Sequence, residues 1–228
     1  MDVILSSMSN TPSVERLLSP ESEKLYFFFG GMKSIIGMPP FEFYNASKIL
    51  NENKIFLRDL SQCWYHCGLQ GISNDIDTTT KFIQKEISKI NPTKVYFVGN
   101  SMGGYAAILF ASLTKQGDAI AFAPQTFICP NLRKQLLDTR WSQHISNTYK
   151  ISACKKKAYD LKPLLSRRKE QRISIFVSKN HHLDYIHANH LRDVPCVNIY
   201  EFNRADHKIV RLLRDKGKLP TIMSGNYT

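Results

Sequence analysis

The chain has 228 residues, 43% of them hydrophobic and 22% charged, with a formal net charge of +12. That length suits one domain with a core large enough to hold without disulfide staples, and the composition excludes collagenous, disordered and cysteine-framework classes. No apolar run approaches the ~20 residues that a membrane-spanning helix needs.

Residues 1–22 carry turn formers and weak patterning, which predicts a flexible arm ahead of one domain over 23–228. The opening residues lack a basic and an apolar secretory region, and the five scattered cysteines (Cys63, Cys67, Cys129, Cys154, Cys196) form no paired framework. A cytoplasmic protein with reduced thiols is expected. Cys63 and Cys67 have no second close pair to complete a zinc site. A nucleophilic pair of Cys67 with His66 is the minor alternative.

Leu25 to Phe29 is a continuous apolar run, as in a strand covered on both faces, ended by Gly30-Gly31. Pro39-Pro40 stands at the mouth of an expected helix, 41–51, and 54–58 reads as a second strand. A polar and aromatic loop covers 59–72. Asn74 or Asp75 caps a helix running to Ile90. Val95 to Val98 is the next strand, a helix follows from Met102 to about Thr114, and 119–122 is another buried strand. The less regular stretch 124–172 holds expected helices near 131–137 and 156–165, and forms either a small cap or a crossover with a long lead-in. Strands at 173–177 and 197–202 and a helix at 209–216 close the chain. Repeated strand–helix units imply an α/β, doubly wound, mainly parallel sheet.

The chemistry centres on Gly99-Asn100-Ser101-Met102-Gly103, between a strand and a helix. Small residues at the shoulders of such a turn let the chain reverse sharply and lift the serine hydroxyl clear of the sheet, above the first N–H groups of the helix. Functional groups in a doubly wound sheet gather at the carboxyl ends of the strands. The two late strands are followed by Ser178-Lys179-Asn180-His181-His182-Leu183-Asp184 and by Asn203-Arg204-Ala205-Asp206-His207. His207 is the expected general base and Asp184 the expected orienting acid, with Asp206 as a competing acid. The histidines His181, His182, His187 and His190 read as loop-packing groups, and no metal or cofactor is expected. Donors for an oxyanion would be the amide of Met102 and that of Gly31 or Met32.

These features resemble the α/β-hydrolase superfamily over nearly the whole chain, from Leu25 to Leu219. More narrowly they are similar to a group of small bacterial hydrolases, through Gly37-Met38-Pro39-Pro40-Phe41-Glu42-Phe43, Arg58-Asp59-Leu60, Trp64-Tyr65-His66, Pro124-Gln125-Thr126-Phe127 and His187-Ala188. The resemblance implies Ser101, Asp184 and His207 as a triad, in an α/β-hydrolase fold with a minimal cap, and implies no particular substrate. Trp64, His66, Gln125 and Phe127 fall in loops expected to border the serine, where they would bind substrate.

The expected activity is cleavage of an ester or thioester, on a small-molecule, carbohydrate or other polar acyl ester, through a covalent acyl-enzyme. Two alternatives stand beside it: an acyltransferase using the same triad, and a non-catalytic protein that binds an anionic polymer. The basic stretch 155–172 would serve an acidic partner in the latter case.

Overall fold

The computed structural model describes residues 12–32, 41–151, 158–165, 171–203 and 205–227. Seven strands form one sheet: β1 (Val14–Leu17), β2 (Lys24–Phe29), β3 (Asn53–Leu57), β4 (Lys94–Asn100), β5 (Asp118–Phe122), β6 (Ile173–Ser178) and β7 (Val197–Phe202). Their order is β1-β3-β2-β4-β5-β6-β7, with β1 antiparallel to β3 and every other pair parallel.

Side-chain alternation along the strands divides the core in two. Leu25, Phe27 and Phe29 of β2 enter one cluster, and Tyr26 and Phe28 enter the other. The first cluster is covered by α1 (Ile76–Ile90) and α2 (Met102–Thr114); the second by α7 (Ile209–Asp215) and α8 (Leu219–Met223). Helices on both faces make the sheet doubly wound, as expected. The capping expectation for α1 resolves onto Asp75, whose side chain accepts the Thr78 N–H while the Thr78 side chain takes the Asp75 N–H.

Four local expectations fail. Residues 41–51 do not form a helix: only Ala46–Ile49 coil, as a 3₁₀ turn, and Phe43 has a φ of 64°. Phe41 and Phe43 are both buried in the second core cluster, and residues two apart cannot share one face of an α-helix. The expected arm 1–22 contains β1, which pairs with β3 and is held by a two-bond fork from Arg16 to Glu86 at 2.7 and 3.0 Å; residues 1–11 lie outside the described set. The expected helix 156–165 survives as α5 (Lys162–Leu165), with 152–157 outside the described set. Asp184, expected in a loop, lies in the first turn of α6 (His182–His190).

Between β5 and β6 the chain also forms α3 (Pro130–Gln135) and α4 (Ser142–Tyr149), the second unforeseen. Because β5 and β6 are adjacent and parallel, the described part of 124–172 belongs to the crossover between them.

Candidate functional site

Ser101 sits at the end of β4 with φ 55° and ψ −118°, a conformation that side chains rarely adopt. Its amide donates to the Phe122 carbonyl at 2.9 Å, tying the turn to β5. Glycine is compulsory at both shoulders. A Cβ on Gly99 would lie 2.0 Å from the Gly103 carbonyl oxygen, and one on Gly103 would lie 2.2 Å from that of Phe29. Met102 opens α2, so its N–H has no acceptor within the helix.

Asp184 and His207 come from the carboxyl ends of β6 and β7, the same edge on which β4 ends. His207 Nδ1–H donates to Asp184 Oδ2 at 2.6 Å. Of the two acids open to His207, it is therefore Asp184 that bonds the ring. Asp206 is exposed, with φ 43°. Because Nδ1 is the bonded nitrogen, the Nε2 lone pair of neutral His207 faces away from the acid. The Asp184 side chain is fully buried, yet its other oxygen accepts Arg140 Nη1–H at 2.7 Å. Burial would raise the pKa of Asp184; the His207 hydrogen bond and the nearby charges of His207, Arg140 and His181 outweigh burial and hold it below the usual carboxylate range.

His181 caps α6, accepting the Asp184 amide on Nδ1 at 3.2 Å, and that nitrogen lies 2.9 Å from Asp184 Oδ2. Ligand atoms of His181, Asp184 and His207 thus fall within 4.8 Å of one another. With the Arg140 guanidinium already on Asp184, a further cation there meets direct repulsion. The cluster reads as a hydrogen-bonded charge network.

Around the loop after β2 the structure gives a role to Glu42, for which the sequence offered none. Glu42 accepts the Gly31 N–H at 2.8 Å and the Asn100 Nδ2–H at 3.0 Å, joining the loop after β2 to the residue before Ser101. Burial raises the Glu42 pKa, partly offset by those two hydrogen bonds and by the charge of His207. The Gly31 amide is therefore engaged. The Met32 carbonyl accepts Gln62 Nε2–H at 2.7 Å, tying the loop to residue 62.

The four side chains expected to border a substrate lie inside the protein rather than on an open rim. Trp64 and Gln125 satisfy each other, Nε1–H to Oε1 at 3.2 Å. Phe127 stacks on His187 with ring centroids 3.9 Å apart. His66 has no exposed surface and lies 3.1 Å from the Tyr105 hydroxyl; burial pushes its pKa down to about 4. In the Cys67–His66 alternative the imidazole is thus buried, with Nε2 against the Tyr105 hydroxyl. The loop carrying Trp64 is organised by Asp59, which accepts the amides of Ser61, Cys63 and Tyr65 at 3.0, 2.8 and 2.8 Å. Met38, named with these aromatics, lies outside the described residues, as does much of the basic stretch 155–172. In the described part of that stretch, Lys162 pairs with Asp193 at 2.7 Å and Arg172 with Asp118 at 3.8 Å.

Residues 67–219, more than half of the chain, match the model of Uncharacterised protein family UPF0227. The chain belongs to family UPF0227. No curated protein matches this UPF0227 member in sequence. Solved structures do resemble it. Capsule O-acetyltransferase of Neisseria meningitidis serogroup A superposes with a TM-score of 0.66 at 16% identity, covering 94% of this chain and 93% of that one. MenH from S. aureus gives 0.60 at 15% identity, covering 95% and 98%. A lipase-esterase related protein from Clostridium acetobutylicum gives 0.59 at 13% identity, covering 92% and 98%. The UPF0227 chain has the α/β-hydrolase fold. No helix among its described residues is long and apolar enough to cross a membrane.

Proposed function

We propose that this protein is a serine hydrolase of acyl esters or thioesters that works through a covalent acyl-enzyme. The observation that carries the reading is the 2.6 Å bond from His207 Nδ1 to Asp184, at the sheet edge where Ser101 tops its strained turn. With Nδ1–H committed to the acid, Nε2 is the nitrogen free to accept a proton.

Ser101 Oγ attacks the acyl carbon while its proton passes to His207 Nε2, and the carbonyl π electrons move onto oxygen. Amides of Met102 and Met32 receive that oxyanion. Engagement of the Gly31 amide by Glu42 favours Met32 as the second donor. The C–O or C–S bond to the leaving group then breaks, and imidazolium returns the proton to it. Water, deprotonated by the same nitrogen, attacks the acyl carbon and releases the acid, restoring Ser101. Asp184 holds the imidazole in the required tautomer throughout. The preferred substrate class is a polar or carbohydrate acyl ester.

A second reading has its own support: the fold similarity to a capsule O-acetyltransferase. In that reading a sugar hydroxyl takes the place of water in deacylation. Incubation with an acetyl thioester, with and without added oligosaccharide hydroxyls, separates the two. Free acetate formed at a rate unaffected by the acceptor supports hydrolysis; acetylated acceptor accumulating at the expense of acetate supports transfer.

A further inference from the structure

The polar chain behind Asp184 is longer than a triad requires. Asp138 and Arg140 belong to the turn between α3 and α4, distant in sequence from both β6 and β7. The Arg140 fork closes on Asp138 through Nε–H to Oδ1 at 3.1 Å and Nη2–H to Oδ2 at 3.0 Å. The Arg140 main-chain amide also donates to Oδ1, at 2.9 Å. With the plane so clamped, the remaining Nη1 points at Asp184 Oδ1, 2.7 Å away. Asp138 is itself anchored: His187 Nε2–H donates to its Oδ2 at 2.9 Å, and His187 Nδ1 accepts the Thr126 amide at 3.0 Å. That second bond fixes the neutral His187 tautomer, with its proton on Nε2. Asp138, His187 and Asp184 are all buried.

We propose that Arg140, clamped by Asp138, is a positioning residue that neutralises one oxygen of Asp184 and so weakens the pull of that carboxylate on the proton of His207. The inference rests on the reading of His207 as base. A buried carboxylate facing an imidazole favours the charged ring, and a cation on its far oxygen weakens that preference. Lysine could supply the charge but not three donors in a rigid plane. Asp138 stays ionised: burial would raise its pKa, but the hydrogen bonds from His187 and Arg140 and the Arg140 charge carry it well below the usual range.

Other charges also face this pair. His181 stands on Asp184 from the start of α6, Glu42 faces His207 from the segment after β2, and Asp206 adjoins His207 in its own loop. These remain in place in variants at 138 and 140, so a comparison among such variants isolates the fork.

The test is a histidine ring titration by NMR on resting wild-type protein and on Arg140→Gln, Arg140→Lys and Asp138→Asn. Relative to wild type, the titration midpoint of His207 should rise by about one pH unit in Arg140→Gln and stay nearly fixed in Arg140→Lys. Asp138→Asn keeps one acceptor oxygen for the fork but removes the negative charge that shares Arg140, so there the midpoint should fall. Mere loosening of the fold would move Arg140→Gln and Asp138→Asn in the same direction, and an unmoved midpoint in Arg140→Gln would overturn the proposal. If Arg140→Gln does not fold, Asp138→Asn decides by the sign of its shift. The readout needs no turnover. Opposite shifts without any reactivity at Ser101 would remove the hydrolase reading and keep the fork; reactivity at Ser101 without the shifts would do the reverse.

Discussion

The His207 ring donates to Asp184 across 2.6 Å although the two residues follow different strands and are 23 positions apart. Asp206, next to His207 in the chain, turns outward instead, because neighbouring side chains in a turn diverge while the ends of adjacent parallel strands converge. This sets a direct contrast. Asp184→Asn should lower kcat on a chromogenic acyl ester by about 10³- to 10⁴-fold. Asp206→Asn should stay within about twofold of wild type, measured on the same substrate.

The turn bearing Ser101 has no room for a methyl group at its second shoulder. Gly103→Ala would set a Cβ 2.2 Å from the Phe29 carbonyl oxygen, backbone that cannot give way without displacing β2. A loss of at least about 4 kcal/mol is expected, seen as collapse of soluble yield or of the unfolding midpoint. Gly104→Ala, whose Cβ would meet Pro124 Cβ at 3.0 Å, should cost only about 1–3 kcal/mol.

His66 gives a pH dependence of known sign. Its folded-state pKa lies near 4 against 6.5 for the free side chain, so between those values the unfolded chain binds more protons. Stability contributed here is full above the unfolded value and falls as pH drops toward the folded one. Urea unfolding at about pH 7.5 and about pH 4.5 should therefore show a difference larger in wild type than in His66→Gln, by about 2 kcal/mol. Equal differences in the two proteins would contradict the burial argument.

Asp138 and Asp184 act with the same sign as His66 but at lower pH. Both carboxyls are held below their free values, so they support the fold above about pH 4 and lose that support as pH falls through the folded-state values. Asp138→Asn should consequently unfold in acid with a shallower pH dependence than wild type, followed by circular dichroism.

Much of this was legible in the sequence because apolar runs and glycines report local geometry directly. Leu25–Phe29, the Gly99–Gly103 turn and the α1 cap all emerged where expected. What stayed hidden is polar and buried. In α6 the inward positions are Asp184, His187 and Ala188, spaced as a helix requires but invisible to a hydrophobic pattern. Glu42, Asp138 and Arg140 were missed for a related reason, since a charged residue in a loop gives no hint that its partner lies 44 or 58 positions away. The aromatics Trp64 and Phe127, expected to border a substrate, are both buried, a degree of packing that their place in loops did not reveal.

The central claim is that Ser101 is a nucleophile activated by His207, and covalent labelling tests it most directly. Intact-mass measurement after exposure to a fluorophosphonate should show a single adduct on wild type, mapped to Ser101, none on Ser101→Ala and strongly slowed formation on His207→Ala. Labelling of Ser101→Ala at the wild-type rate, or no adduct on folded wild type, would contradict the account.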